Sequence, residues 1–287
     1  MIAYKQVVRR VLNEGKIKEN RTGVNTLAIA GAMFEHNMAE GFPLLTTKFV
    51  PFNLVASELE FFLKGITDKK WLQDRNNHIW DEWCSPTKVA YGHDKETKKQ
   101  MLEERDLGPI YGSQWRNFNM QYRGYREQKC GGVDQLKELV TTLKINPDSR
   151  RMVVSAWNPI DLKDMALPPC HYSFQVTIIN GRLNLLWNQR SVDVALGLPF
   201  NIASYGLLLT LLALESGFKP GTLVGFLGDT HIYENHIKGL KNQLERLPKE
   251  LPCIRTRDFE SIFNWKYTDT VLYNYQYHPS IKFEIAI

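Results

Sequence analysis

The stretch HYSFQVTIINGRLNLLWNQR, His171 to Arg190, decides the fold. Apolar residues alternate with polar ones on both sides of Asn180-Gly181. An Asn-Gly pair between two alternating runs is a strong signal for a two-residue turn, so the stretch predicts a β-hairpin. The segment from Ile202 to Ser216 follows closely and is apolar on most sides, which predicts a central, buried helix.

Helices and strands lie on either side of this unit without a regular alternation. Amphipathic patterns predict helices at about 2–13, 51–65, 133–146 and 232–247, and apolar runs predict strands at about 151–158 and 222–229. The run at 25–38 predicts either a strand or a hairpin bent at a glycine. Because a parallel α/β sheet requires strands to alternate with helices, this order favours an α+β fold. No repeat or linker divides the chain, so we expect one domain over residues 1–287, with a polar surface excursion at about 84–105.

The composition is that of a globular protein, with 43% hydrophobic and 23% charged residues. No uninterrupted apolar run reaches the roughly 18 residues of a membrane span. The N-terminus has the pattern of an amphipathic helix and not of a signal peptide, so we expect a cytoplasmic protein. The formal charge of +5 is spread along the chain, which favours a small phosphorylated substrate over a nucleic-acid arm. RNA binding by the basic surface is an alternative that no motif supports.

Metal-binding patterns are missing from the sequence. The four cysteines are far apart and form no C-x-x-C pair. His231 and His236 are five residues apart, a spacing that does not place two ligands on one helix face. We therefore expect no metal cofactor.

The segment MALPPCHYSFQ, Met165 to Gln175, contains a candidate nucleophile, Cys170. Pro168 and Pro169 disfavour helix before the cysteine, and His171 follows it. Cationic neighbours would favour the thiolate, which attacks electron-poor carbon atoms. A free cysteine is more often an inert, buried side chain, and the residues alone leave that alternative open.

The segment NQRSVDVALGLPFNIASYG, 188–206, is the densest group of polar residues. Around a Gly-Leu-Pro turn between a strand and a helix it places Gln189, Arg190, Ser191, Asp193 and Asn201. An arginine and a serine suit a phosphate, because one supplies a bidentate charged donor and the other a hydroxyl. A helix N-cap is an equal alternative for Asn201. Arg150-Arg151 is either a solvated loop or a second phosphate clamp.

Several segments together resemble the thymidylate synthase family. They occur in the family's order and span nearly the whole chain: RTG (21–23), GFPLLTTK (41–48), DLGPIYGSQWR (106–116), NPDSRRMVVSAWNP (146–159), MALPPCH (165–171), QRSVDVALGLPFNIASYG (189–206) and LGDTHIYENH (227–236). The resemblance implies a single α+β domain with a large mixed β-sheet flanked by helices. It also implies that two sheets pack back to back across a homodimer, and that the excursion at 84–105 lies where members vary in length.

The resemblance further implies reductive methylation of dUMP to dTMP, with 5,10-methylenetetrahydrofolate as donor of both the carbon and the hydride. The matching catalytic positions are Cys170, which adds to C6 of the uracil, the proton-transfer residues Glu58, Tyr111 and His171, and Arg190 and Asp193. The matching dUMP positions are Arg21, Gln189, Arg190, Ser191, Asn201, His231 and Tyr233, with Arg150 and Arg151 reaching into the partner subunit's site. The matching folate positions are Trp80, Trp83, Asp193, Leu196, Gly197, Phe200 and the C-terminal Ile287.

The residue at position 201, Asn201, indicates which base is bound. Uracil presents N3–H as donor and O4 as acceptor, and an asparagine amide satisfies both, whereas an aspartate would suit cytosine. Some positions depart from the family pattern: residues 49–53 are uncharged where basic residues are usual, and Glu60 and Ala195 replace apolar and aromatic residues. These departures keep one alternative open, a deoxyuridylate hydroxymethylase that uses the same folate and lets water quench the methylene.

Overall fold

The structure, a computed structural model, describes residues 1–20, 22–127 and 131–284. The helices of this part of the chain are α1 (Ile2–Glu14), α2 (Phe52–Leu63), α3 (Lys70–Gln73), α4 (Lys95–Glu103), α5 (Tyr111–Asn117), α6 (Gln135–Ile145), α7 (Gly197–Ser216) and α8 (Ile237–Glu245). The strands are β1 (Lys16–Lys18), β2 (Thr26–Asn37), β3 (Val153–Ser155), β4 (His171–Ile179), β5 (Arg182–Asp193), β6 (Lys219–Tyr233), β7 (Cys253–Thr256) and β8 (Thr270–Tyr273).

A six-stranded sheet forms the centre of the molecule, in the order β1-β2-β6-β5-β4-β3. β5 and β6 are parallel and are connected through α7, whereas the other neighbours in this sheet are antiparallel. The fold is therefore α+β with a large mixed sheet, as the resemblance implied. β7 and β8 form a separate two-stranded ribbon.

The predicted hairpin is confirmed as β4 and β5. Ile179 pairs with Arg182, which leaves a loop of two residues. Both loop residues have positive φ, 51° at Asn180 and 69° at Gly181. This is the type I′ geometry that an Asn-Gly pair favours and that matches the twist of the flanking strands.

The central helix α7 is confirmed as buried, and it begins at Gly197, five residues before the predicted start. Pro199 fits into the first turn because that turn needs no N–H from it. Its twenty residues make α7 long and apolar enough to cross a membrane, which the sequence analysis had not expected. Buried residues make up 72% of the apolar window of α7, so the helix is the core helix of this domain.

The predicted boundary between the last strand of the large sheet and the last long helix is wrong. The last long helix begins at Ile237 and not at Ile232, because β6 continues to Tyr233 in a ladder in which Tyr233 pairs with Thr26. The segment 25–38, predicted as either a strand or a hairpin, is one long strand that passes Gly31 at a φ of 91°. The longer β6 matters for function, because it carries His231 and Tyr233 on a strand end.

The two faces of the sheet differ in burial. On β5, Leu183, Leu185 and Trp187 are completely buried, on the same side as the core under α7. On the opposite face, Met33 of β2 and Phe226 of β6 are 57% and 43% exposed in the single chain. Gly225 makes room for the core, since a Cβ there would lie 2.3 Å from the Trp187 ring.

The polar segment 84–105 contains a short helix, α4, and is tied to the domain at its base. Lys69 is completely buried, and its Nζ donates hydrogen bonds to the carbonyl oxygens of Asp81, Trp83 and Met101. Ser85 also donates from its Oγ to the carbonyl of Asp164 at 3.0 Å. One buried ammonium group therefore holds both ends of the segment.

Candidate active site

A cavity of about 1060 Å³ opens where β4, β5, β6 and the start of α7 meet α2 and α5. Most of the residues matched from the resemblance lie along its wall: Glu58, Trp80, Trp83, Tyr111, Cys170, His171, Gln189, Arg190, Ser191, Asp193, Leu196, Gly197, Phe200, Asn201, His231 and Tyr233. The fold thus gathers side chains from distant parts of the sequence into one pocket.

Cys170 lies immediately before β4 and is partly exposed. Its backbone N–H donates to the hydroxyl of Tyr111 at 2.8 Å, and its carbonyl accepts from the N–H of Arg190 at the same distance. The backbone of Cys170 is therefore held from both sides while its thiol faces the cavity. This position differs from that of Cys84, which is buried away from the cavity lining.

Arg190 connects the cysteine to the diproline segment. Its guanidinium donates to the carbonyls of Pro169 and Pro168 at 2.9 and 2.7 Å, and Nη2 lies 4.0 Å from Sγ of Cys170. The guanidinium also lies over the ring of Trp157, 5.7 Å from its centroid. A fixed positive charge beside a thiol favours the thiolate form.

Glu58 of α2 is a buried carboxyl group in the cavity wall. Oε1 accepts a hydrogen bond of 2.8 Å from the indole nitrogen of Trp80. Burial raises the pKa of Glu58 from 4.5 to about 7, with the hydrogen bond from Trp80 acting in the opposite direction. A carboxyl group with a pKa near neutrality can both accept and donate a proton at physiological pH.

An aromatic stack supports the segment behind the cysteine. Tyr111 stacks on His171 with ring centroids 4.4 Å apart, and on Phe62 at 4.9 Å. Nδ1 of His171 hydrogen bonds to the hydroxyl of Tyr205 at 2.9 Å. Burial lowers the pKa of His171 to about 3, so the imidazole is neutral at physiological pH.

Two side chains fix the orientation of the amide at position 201. The indole N–H of Trp187 donates to Oε1 of Gln189 at 3.1 Å, and Nε2 of Gln189 donates to Oδ1 of Asn201 at 2.9 Å. An indole nitrogen can only donate, so it identifies the oxygen end of Gln189 and, through it, the oxygen end of Asn201. The N-cap interpretation of Asn201 is wrong, because α7 begins four residues before it.

The remaining polar groups lie where β5 and β6 end. Oδ1 of Asp193 accepts from the backbone N–H groups of Ala195 and Leu196 at 2.8 and 3.3 Å, which shapes the turn before α7. Nδ1 of His231 lies 2.9 Å from Oδ1 of Asp229, and the ring of His231 meets that of Tyr233 edge to face at 5.4 Å.

Two of the predicted residues that the structure describes are not in this cavity wall. Arg150 and Arg151 are exposed just before the edge strand β3, outside the cavity of their own chain. Arg21 and Ile287 lie outside the residues that the structure describes. The placement of the arginine pair is compatible with a role in a neighbouring subunit's site and with the solvated-loop alternative.

The departures from the family pattern lie mostly outside the cavity lining. Glu60 is buried, forms an ion pair with Lys64 and accepts the N–H of Tyr267 at 2.8 Å. Ala195 is completely buried, and its carbonyl accepts from Nζ of Lys48 at 2.6 Å. Burial lowers the pKa of Lys48 to about 8, while Asp193 acts in the opposite direction.

Several residues that line the cavity were not predicted from the sequence, among them Lys18, Asp229 and Tyr91. Asp229 could have been found only if the predicted strand had been extended from 229 to His231, because residues two apart on a strand share a side. Tyr205 could also have been found, since it lies one helical turn after Asn201. Tyr91 had no such signal, because it belongs to the polar excursion.

The arrangement can support covalent catalysis on a planar, electron-poor ring. It combines a thiol beside a guanidinium, an oriented amide that can read a base edge, and a buried carboxyl group that titrates near neutrality. Among the residues that the structure describes, no group of three or more His, Cys, Asp or Glu side chains could hold a metal ion.

Comparisons with known proteins agree with this site. The sequence profile described as thymidylate synthase matches residues 2–287. The chain is 41% identical over 299 residues to a thymidylate synthase of Mycoplasma pneumoniae, with both chains covered completely. It is 44% identical over 290 residues to a bifunctional dihydrofolate reductase-thymidylate synthase of Paramecium tetraurelia, with 99% of this chain and 61% of that protein covered. The chain belongs to the thymidylate synthase family.

Proposed function

We propose that this chain catalyses the reductive methylation of dUMP to dTMP, with 5,10-methylenetetrahydrofolate as the donor of the carbon and the hydride. The family and the names of the two relatives support this reaction and do not favour the hydroxymethylase alternative. The observation that carries the proposal is the position of Cys170, whose thiol lies 4.0 Å from the guanidinium of Arg190, with Asn201 in the same cavity wall.

Cys170 would begin the reaction as a thiolate. Its sulfur forms a bond to C6 of the uracil, and the electron pair of the C5–C6 double bond moves toward C5 and O4. C5 would then bond to the one-carbon unit of the folate and lose its proton, and the bond from that carbon to the folate nitrogen would break, which leaves a methylene group on C5 and frees tetrahydrofolate as the hydride donor. Hydride transfer from the folate completes the methyl group as the C6–S bond breaks, giving dTMP, dihydrofolate and the regenerated thiolate. Water must be kept away until the hydride arrives.

Glu58 is the proposed proton-transfer group. Its pKa of about 7 suits both proton acceptance and proton donation around C4 and C5 of the pyrimidine. His171, neutral and bonded to Tyr205, is assigned a polar positioning role and not that of an acid. Tyr111 holds the nucleophile in place through the N–H of Cys170.

Asn201 is proposed to read the base. With Oδ1 already accepting from Gln189, its Nδ2 can donate to O4, and the second lone pair of Oδ1 can accept from N3–H. Cytosine would meet this amide with an amino group opposite a donor and an unprotonated N3 opposite an acceptor. The oriented amide therefore favours uracil.

The phosphate and sugar would occupy the polar end of the cavity. Arg190 and Ser191 on β5 are the proposed phosphate ligands of this chain, joined by Arg21, and His231 with Tyr233 would hold the ribose hydroxyl. The folate would lie along Trp80, Trp83, Asp193, Leu196, Gly197 and Phe200, with Ile287 contributing from the C-terminus.

A homodimer is part of the proposal. Met33 and Phe226 are exposed on the face of the sheet opposite the core, which supports packing of this face against a second copy. Arg150 and Arg151 are exposed and lie outside the cavity of their own chain. We assign them to the phosphate site of the partner subunit.

A product assay tests the function. The purified protein is mixed with dUMP and 5,10-methylenetetrahydrofolate, the formation of dihydrofolate is followed by absorbance, and the nucleotide product is identified by chromatography. We expect dTMP and dihydrofolate in equal amounts. Hydroxymethyl-dUMP with tetrahydrofolate would contradict methylation in favour of the hydroxymethylase alternative, and the absence of any new nucleotide would contradict both.

A further inference from the structure

We propose that Tyr91 binds an aromatic ring of the folate, so that the polar segment 84–105 forms a wall of the folate pocket. This inference rests on the proposed function, because it assumes that the cavity holds a folate. Nothing in the sequence singled out Tyr91, and the segment that contains it was expected to lie on the surface without a part in the site.

Tyr91 lies in the wall of the same cavity as Cys170, together with Pro86 and Trp83. Its ring stacks on that of Trp83, with centroids 6.0 Å apart and planes 25° apart. The side chain is 41% exposed, so ring surface remains accessible to a ligand in the cavity. The ring of His93 lies perpendicular to that of Tyr91, with centroids 5.2 Å apart.

The segment that carries Tyr91 is held at its base. Lys69, completely buried, donates to the carbonyls of Trp83 and Met101 on the two sides of Tyr91. Such an ammonium group has a high desolvation cost, which its three carbonyl acceptors and the nearby acidic groups of Asp81 and Glu104 offset. A tether of this kind restrains the segment over the cavity.

A second tether joins the segment to the chain that leads into the active site. Ser85 donates from Oγ to the carbonyl of Asp164 at 3.0 Å and from its backbone N–H to the carbonyl of Asp106 at 2.7 Å. Asp164 directly precedes Met165, which lines the cavity five residues before Cys170. The position of Tyr91 is therefore coupled to the same loop as the nucleophile.

The chemistry of this corner of the cavity suits a flat, aromatic ligand. Two stacked rings, Trp83 and Tyr91, offer faces and edges to a third ring. The proposed partner of the nucleotide base is Asn201, on another part of the wall. A bound folate would place two further ring systems in the cavity, and these are the candidates for stacking on Tyr91. A single aromatic contact of this kind corresponds to about a three- to tenfold change in affinity.

Steady-state kinetics with both substrates tests the assignment. Tyr91→Ala should raise KM for 5,10-methylenetetrahydrofolate about three- to tenfold, with KM for dUMP unchanged. Tyr91→Phe keeps the ring and should behave like the wild type. Leu102→Ala is the matched control, because Leu102 is 49% exposed on α4 of the same segment and is not part of the cavity wall.

The outcomes separate this inference from the proposed function. A wild-type protein that makes no dTMP would overturn the proposed function. Normal wild-type turnover together with an unchanged folate KM in Tyr91→Ala would overturn only the role of Tyr91. If Tyr91→Ala lowers the melting temperature, Tyr91→Leu replaces it, since leucine keeps apolar bulk without a ring. An equal rise in KM for both substrates in Tyr91→Leu would also count against a folate contact.

Discussion

The indole nitrogen of Trp187, which is completely buried, donates a hydrogen bond of 3.1 Å to Oε1 of Gln189 at the border between the core and the active site. Because the indole can only donate, this bond forces the Nε2 end of Gln189 toward Oδ1 of Asn201 and toward the carbonyl of Ser191. A core tryptophan thus takes part in orienting the amide that is proposed to read the base, although it does not line the cavity.

Replacement of Trp187 by phenylalanine should weaken the discrimination between uracil and cytosine. Phe keeps most of the ring that stacks on Tyr205 but leaves Oε1 of Gln189 without its donor, which costs about 1–3 kcal/mol. The carbonyl of Ser191 still favours the original orientation, so we expect a partial effect: the ratio of kcat/KM for dUMP to that for dCMP falls by about tenfold.

The control for this prediction is Trp115→Phe. Trp115 is also buried and packs against Phe62 and Phe174, but it does not line the cavity. Both variants should lose stability, whereas only Trp187→Phe should change the base preference. An unchanged ratio in Trp187→Phe would show that the Ser191 carbonyl alone orients Gln189.

Glu58 should make the stability of the wild type depend on pH. Its pKa is about 7 in the folded state and 4.5 in its ordinary state. Below about pH 4.5 the carboxyl group is protonated in both the folded and the unfolded state. The stabilisation that comes from the raised pKa in the folded state is then fully present. Between pH 4.5 and 7 the unfolded state ionises first, so the free energy of unfolding falls with rising pH, by roughly 3 kcal/mol in total.

The variant Glu58→Gln isolates this contribution, because glutamine does not titrate. Urea denaturation at a series of pH values should show that the wild-type protein loses roughly 3 kcal/mol relative to Glu58→Gln between pH 4.5 and 7.5. Exposed Glu260 provides the control, and Glu260→Gln should follow the wild type. Parallel curves for wild type and Glu58→Gln would exclude a raised pKa at Glu58.

Local patterns were sufficient to predict the centre of the fold. The Asn180-Gly181 turn specifies its own geometry, and the burial of α7 follows from an apolar surface on all sides. The ends of the elements were not predictable in this way. β6 extends to Tyr233 because β2 offers it a ladder partner, and such pairing between distant segments leaves no mark in the local sequence.

The candidate site, too, could be predicted only in part from local sequence patterns. Cys170, Arg190 and Asn201 could be predicted, because a diproline and a histidine mark Cys170 and a dense group of polar residues surrounds Arg190 and Asn201. Trp187 looked like an ordinary core residue, and its role depends on the bond to Gln189, which only the fold brings about. The position of Tyr91 could not be predicted either. Its segment is polar, which is typical of the surface, and Lys69, which holds the segment in place, lies outside it in the sequence.

Removal of the thiol should abolish turnover. Cys170→Ala lacks the nucleophile that adds to C6, so dTMP formation should fall by at least about a thousandfold. Binding of dUMP should change only a few-fold, because the proposed phosphate and base contacts remain. Isothermal titration with dUMP and the product assay measure the two effects. Cys253→Ala, at an exposed position on β7, should retain wild-type activity, and turnover by Cys170→Ala would refute the assignment of the nucleophile.

Two inactive variants should restore activity when they share a dimer. Arg150 lies outside the cavity of its own chain, so its proposed place is the phosphate site of the partner subunit. A heterodimer of Arg150→Ala and Cys170→Ala then contains one site with an intact cysteine and an intact partner arginine, and one site that lacks both. After denaturation and refolding of an equal mixture, we expect about half of the wild-type turnover per heterodimer, and about a quarter per dimer averaged over the mixture, because random pairing makes about half of the dimers heterodimers. A verified heterodimer with no recovered activity would show that Arg150 acts within its own chain or not at all.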